Sequence, residues 1–215
     1  MLDGPVPPLV VVVSAVVLAV FRQRTVGGRP QRGWPGDLAV MAAIISIAAL
    51  LELAMGRPPT YTKGPVRLWS GDIRSDQNSQ QIADPYTVTH VVHGALFYGL
   101  TVALLPAPVG VRAIAATTIE AAWEAYENTD QVINRYRTET VSLGYYGDSI
   151  INSVADMLAC VTGFFLARRL PTLATVFWVL AAELLLAFWI HDNLTLNILM
   201  LIHPIDAIRR WQMGV

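Results

Sequence analysis

The chain has 215 residues, of which 54% are hydrophobic and only 14% charged, and its mean hydropathy is +0.47. A soluble domain of this size carries about a quarter charged residues, so the composition excludes an ordinary soluble globule and indicates a polytopic membrane protein. A formal net charge of −1 without a Lys/Arg block gives no basis for nucleic-acid binding, and a single cysteine, Cys160, excludes a disulfide framework.

Six apolar segments follow in chain order: Pro5–Phe21, Leu38–Met55, Tyr86–Leu105, Val109–Tyr126, Ser149–Ala167 and Thr172–Ile190. Each is near the length needed to cross a bilayer, which predicts an all-α transmembrane bundle of about six spans. The acidic start Met1-Leu2-Asp3 and the run from Val10 into Arg22 and Arg24 are unlike a signal peptide, so an uncleaved first span is expected. Pro5, Pro7 and Pro8 crowd its opening turn, where proline costs a helix least. The chain divides into a two-span region, 1–55, and a region, 56–215, that holds spans three to six.

The connections differ in character. Pro106–Pro108 and Arg168–Pro171 are short turns, whereas Gly56–Pro85 and Glu127–Gly147 are long, polar loops rich in Tyr, Asn, Asp and Gly. Arginines are dense in short connections (Arg22, Arg24, Arg29, Arg32, Arg168 and Arg169), which places those loops in the cytoplasm and the two long loops outside. The tail segment Leu194–Ile202 is apolar but only nine residues long, too short to cross alone. An interfacial position and a crossing anchored by Arg209, Arg210 and Trp211 both remain open.

The polar residues inside or beside the spans gather on the side of the long loops. In the fourth span Glu120, Glu124 and Glu127 fall within an arc of roughly 60° on one helix face. An acid inside hydrocarbon costs on the order of 3 kcal/mol, so such a stripe is expected to face a partner, a cavity or an ion. Arg135 or Arg137, folding back from the next loop, would be the simplest partners. Span three opens with His90 and His93 at i,i+3, a spacing that lets both bind one metal ion, or cap and pair with carboxylates instead. Span five opens with Asp148, Asn152 and Asp156. Asp148 is expected to cap that helix, whereas Asn152 and Asp156 lie too deep for capping to explain them. Glu52 closes span two, and His191 and Asp192, with Glu183 two turns earlier, close span six. Asn78-Ser79-Gln80-Gln81 with Asp84-Pro85-Tyr86 reads as a turn-rich lid into span three. Trp123 and Tyr126 read as packing or interface aromatics, and Cys160 as a small packing residue.

No H-E-x-x-H, G-x-S-x-G, P-loop or Gly-rich dinucleotide pattern occurs, and four histidines are few for a membrane di-iron oxidase. The motifs Asn78-Ser79-Gln80-x-Ile82-Ala83-Asp84, His90-x-x-His93-Gly94, Trp123-Glu124-x-x-Glu127-Asn128, Asn134-Arg135-Tyr136-Arg137, Tyr146-Gly147-Asp148-Ser149 and Asp192-Asn193-Leu194-Thr195-Leu196-Asn197 jointly carry a resemblance. Over about Gly56 to Trp211 the chain resembles a family of unknown function whose members are multi-pass inner-membrane proteins of alpha-proteobacteria. A looser likeness, to VanZ-like membrane proteins, rests on the W-E-x-x-E helix end followed by the helix that Gly147-Asp148 opens. The family resemblance implies location and topology and brings no reaction.

Three functional classes stay open. One is an inner-membrane enzyme acting on a lipid-like substrate, with Glu124, Glu127, Asp148, Asp156 and Asn152 as acid–base or polar site groups. His90 and His93 would then be ligands of a divalent metal or a proton shuttle. The second is a structural or assembly protein whose loops bind a membrane-protein partner. The third is a proton-coupled transporter, which the one-sided polar set and the lack of an internal repeat disfavour.

Overall fold

A computed structural model describes residues 34–214; the predicted first span Pro5–Phe21 and its basic connection lie outside them. The described residues form eight helices and no strand: α1 Trp34–Ala54, α2 Thr87–Leu104, α3 Val109–Glu127, α4 Asp130–Glu139, α5 Ile150–Arg169, α6 Thr172–Ile190, α7 Leu194–Ile202 and α8 Asp206–Met213.

The helix boundaries follow local chemistry. Ser149 caps α5 through its side chain, which accepts from the Asn152 N–H, and Asn193 caps α7 in the same way through the Leu196 N–H. Pro108 and Pro171 stand immediately ahead of α3 and α6, where a missing N–H breaks no helical bond. Arg168 and Arg169 occupy the last turn of α5, opposite the sign of the helix dipole.

Packing is set by small residues. A Cβ at Gly94 of α2 would stand 1.9 Å from the Cys160 carbonyl oxygen of α5, and one at Gly163 of α5 would stand 1.9 Å from the Val91 carbonyl oxygen of α2. The two glycines thus let the backbones of α2 and α5 touch, as small residues do in membrane helix pairs. On the other flank Met41, Ile44 and Ala48 of α1 meet Ala113, Ile114, Ala116 and Ala121 of α3, and Met157 and Phe164 of α5 complete this core. Gly110 of α3 likewise admits the Asp37 carboxylate at the start of α1, for a Cβ there would lie 1.8 Å from Asp37 Oδ2. In contrast, α6 buries only Leu186 and Ile190 and exposes Leu173, Phe177 and Phe188.

Four helices, α1, α2, α5 and α6, are long and apolar enough to cross a membrane. The expected count of six is therefore not reproduced among the described residues. α3, the predicted fourth span, is 19 residues long but carries Arg112 and three glutamates, which lower its hydropathy. The predicted loop Glu127–Gly147 also holds a helix, α4, whose Val132, Ile133 and Tyr136 bury one face with Tyr145 and Leu201. The tail forms two short helices, and α7 at nine residues is too short to cross by itself.

The long segment between α1 and α2 is docked rather than loose. Ser149, Ile150 and Ile151, whose N–H groups have no acceptor within their own helix, donate to the carbonyls of Ser79, Pro58 and Pro59. Gln80 and Gln81 are 1% and 0% exposed, and Gln80 Nε2 donates to the Gly147 carbonyl at 2.7 Å. Ser79 adopts φ 60°, the left-handed conformation that turns this loop.

Candidate functional site

The first two turns of α2, the last two of α3 and the first two of α5 meet at one end of the bundle. His90 and His93 come from α2, Glu120, Glu124 and Glu127 from α3, and Asn152 and Asp156 from α5. The shortest contacts join the first two sets. His90 Nδ1 lies 2.5 Å from Glu120 Oε1, and His93 Nδ1 lies 3.0 Å from Glu120 Oε2. An ionised carboxylate only accepts, so both imidazoles then donate from Nδ1 and keep Nε2 free. Glu120, fully buried, fixes two rings at once.

The remaining acids surround His90. Glu124 Oε1 is 3.3 Å from His90 Nδ1, and Asp156 Oδ2 is 3.9 Å from His90 Nε2. Glu124 and Asp156 are 1% and 4% exposed, yet Glu124 Oε1 and Asp156 Oδ1 have no hydrogen-bond partner. Asn152 Nδ2 is also buried without a partner. The expected neutralisation by Arg135 or Arg137 does not occur. Arg135 donates to the carbonyls of Leu201 and Ile202, and Arg137 donates to the Tyr145 carbonyl. Arginine forks are drawn to those orphan backbone oxygens at the end of α7 and in the loop after α4, so the acids are met by histidines instead.

In front of this cluster lies a small cavity of about 40 Å³, lined by His90, His93, Glu127 and Asp156 together with Tyr86, Tyr136, Tyr145, Asp148, Asn197 and other residues. Glu120 and Glu124 are not in its lining; they stand behind the histidines. Trp123 meets His93 edge-on at 6.5 Å, and Phe97 stacks on the same ring at 5.6 Å, so this imidazole is held by packing as well as by Glu120.

Asp148 lies on the rim in a different role from the expected cap, which Ser149 provides. Its Oδ2 accepts from Asn128 Nδ2 at 2.7 Å, its Oδ1 from the Tyr145 hydroxyl at 2.9 Å, and its own N–H donates to Asn128 Oδ1 at 2.7 Å. Burial pushes its carboxyl up to about 6, while the Asn128 and Tyr145 hydrogen bonds pull against that rise.

A second polar hub holds the far wall. Asp192 accepts from the Tyr86 hydroxyl at 3.1 Å, Gln212 Nε2 at 3.0 Å and the Asn193 N–H at 2.9 Å, joining the start of α2 to α8. Burial raises its carboxyl to about 6. Glu183 is drawn away from the cavity; its carboxylate accepts from the Leu194 and Thr195 N–H groups at the start of α7. His191 takes φ 56° at the end of α6 and packs edge-on against Trp211.

These features define an all-helical membrane protein with a histidine–carboxylate cluster buried behind a cavity at one end of its bundle. Residues 52–214 match the family model described as "Protein of unknown function (DUF2585)". The chain is 49% identical over 179 residues to the UPF0314 protein of Sinorhizobium fredii, covering 83% of this chain and 91% of that one. It is 49% identical over 170 residues to the UPF0314 protein of Paracoccus denitrificans (79% and 88%), and 44% identical over 190 residues to that of Sphingopyxis alaskensis (88% and 99%). The chain belongs to this uncharacterised alpha-proteobacterial family. No solved structure matches it, and the looser likeness to VanZ-like proteins is not seen among these relatives.

Proposed function

We propose that the chain is a multi-pass enzyme of the inner membrane whose cavity opens toward the outer face and acts on a lipid-like substrate. The observation that carries this reading is Asp156. It lines the cavity, is 4% exposed, has one oxygen without a partner and faces His90 Nε2 across 3.9 Å. A buried carboxyl left unsatisfied costs stability and serves no packing purpose, which is how acid–base groups are held. In this arrangement Asp156 and Glu127 move protons at the substrate, and His90 relays them. Glu120 is a positioning residue that sets the orientation of both rings, and Asp148 positions the rim through Asn128 and Tyr145.

The site's place at a helix end suits a substrate presented from the lipid headgroup region. α6, with both flanks exposed and apolar, is a surface for acyl chains. A transport path finds no continuation, because Met157, Phe164 and Ile114 fill the bundle beyond the cluster. The assembly reading is favoured by one feature only, the Asp192 hub, which ties helices together without leaving a free group toward the cavity.

The test is complementation with a lipid profile. A deletion strain is expected to accumulate a lipid or envelope precursor, and the wild-type gene is expected to clear it. Asp156→Asn and Glu127→Gln should each leave the precursor high, with turnover lowered about a hundredfold, the usual scale of acid–base catalysis. If both variants reach the membrane at normal levels and restore the wild-type profile, the chain is not this kind of enzyme and the assembly reading takes its place.

A further inference from the structure

Behind the cavity stands a group that proton transfer at its wall does not use. Glu124 Oε1 is buried and unpartnered, although it lies 3.3 Å from His90 Nδ1. Glu120, also buried, lies between His90 Nδ1 and His93 Nδ1. Among the described residues no lysine or arginine forms an ion pair with either glutamate. Two carboxylates and two imidazole nitrogens therefore converge inside the protein with no fixed positive charge beside them.

We propose that His90, His93, Glu120 and Glu124 bind one divalent cation of the zinc class. One potential donor atom each from His90, His93 and Glu120 already lies within 4.8 Å of the others. Bonds of about 2.0–2.1 Å in a tetrahedral zinc site place neighbouring donor atoms about 3.3 Å apart. The His93–Glu120 contacts of 3.0 and 3.1 Å and the His90–Glu124 contact of 3.3 Å are close to that edge length. The 2.5 Å approach of His90 to Glu120 has to open, and the Glu124 carboxylate, which stands outside the group of three, has to swing inward. Glu124, which no hydrogen bond employs, supplies the fourth donor.

Charge and tautomer agree with this assignment. A divalent cation cancels two carboxylates, which removes the main cost of burying them. Each imidazole binds as the neutral ring through Nδ1, its proton moving to Nε2 on the cavity side. The donors sit at i,i+3 on α2 and i,i+4 on α3, two rigid helices, and Phe97 and Trp123 already clamp the His93 ring. The inference deepens the enzyme reading by fixing the two rings whose Nε2 sides face the cavity; the four protein donors close the coordination shell, so the binding itself is independent of any reaction.

The test uses full-length protein in detergent, stripped with a chelator and then dialysed against Zn²⁺ or Co²⁺. Wild type is expected to retain about one equivalent and, with Co²⁺, to show the visible absorption of a four-coordinate centre. Glu124→Gln, which keeps the side-chain shape, and His93→Ala should each weaken retention at least about tenfold. Asp76→Asn, a surface carboxylate change, should leave it unaltered. Wild type that holds no stoichiometric metal overturns the proposal, and so does uptake that both site variants leave unchanged. Bound metal with an unchanged lipid profile in the deletion strain removes the enzyme reading alone. An accumulated precursor without bound metal removes the cation alone.

Discussion

Asp148 shows what burial does to a residue whose partners are all neutral. Its carboxyl is raised to about 6 in the folded protein, above the ordinary value of about 3.9 in an unfolded chain. The fold therefore holds the proton more tightly than the unfolded chain does. The stabilisation from that proton is complete below about pH 4 and is lost as pH rises through 6, on the order of 3 kcal/mol in total. Asparagine at this position can still accept from Asn128 and can donate to the Tyr145 hydroxyl, which accepts as readily as it donates. The thermal midpoint of wild type in detergent should fall relative to Asp148→Asn between pH 4 and 7. Parallel curves for the two proteins across that range would remove Asp148 as the source. At this scale the sequence displayed the right residue types but not their pairings. The stripe on α3 was legible from helical spacing, yet Glu120, the member that touches both histidines, differs from Glu124 and Glu127 only in depth along the axis. Nothing in Arg135 or Arg137 announces that backbone carbonyls would claim them.

Elements were far easier to read than contacts. Thr172–Ile190 was delimited to the residue, and Ser149–Ala167 is displaced from α5 by one residue at its start and two at its end. Apolar runs bounded by proline or by a serine cap leave little freedom in where such helices begin. α4 escaped because ten residues with a polar exterior resemble a loop, although Val132, Ile133 and Tyr136 mark a short buried face in hindsight. The pairing of α2 with α5 was equally hidden: Gly94 signalled that some helix approaches, and only the fold shows that Gly163 is its counterpart. Gly94→Ala should therefore be costly, about 3 kcal/mol or more, because the new Cβ meets backbone that cannot rotate aside. Gly99→Ala, one and a half turns further along α2, meets nothing within 4 Å and should be neutral or slightly stabilising. Equal melting temperatures for the two variants would show that the helices separate easily.

For the molecule as a whole, composition was enough to establish an all-helical membrane protein, and charge density in short connections gave the proposed orientation. That orientation has a direct check, because Cys160, the chain's only cysteine, is fully buried. In a Cys160→Ala background, Gly144→Cys sits on an exposed loop at the cavity end, and Pro106→Cys sits in the short turn between α2 and α3. A maleimide that cannot cross membranes should label the first and spare the second on intact spheroplasts. The reverse pattern would turn the cavity toward the cytoplasm. Spans are readable because hydrocarbon imposes a single length rule on every segment, and the charge rule supplies the orientation that the labelling tests. A polar pocket at the long-loop end was expected from the one-sided polar residues; its lining was not readable, since it depends on where three helix ends and two loops arrive together.

The touching backbones of α2 and α5 also govern how anything enters. Interlocked at Gly94 and Gly163, these two helices cannot slide along one another, and the strap around Pro58, Pro59 and Ser79 is pinned to the first amides of α5. The aperture between them has a fixed bore. The remaining wall is built from Ser142, Tyr145 and the α7 residues Leu194 and Ile198, and α7 rests mainly on α4. Entry is therefore expected through that wall, and a disulfide bolting α7 to α4 should slow the exchange of whatever occupies the chamber while leaving the helix pair behind it undisturbed.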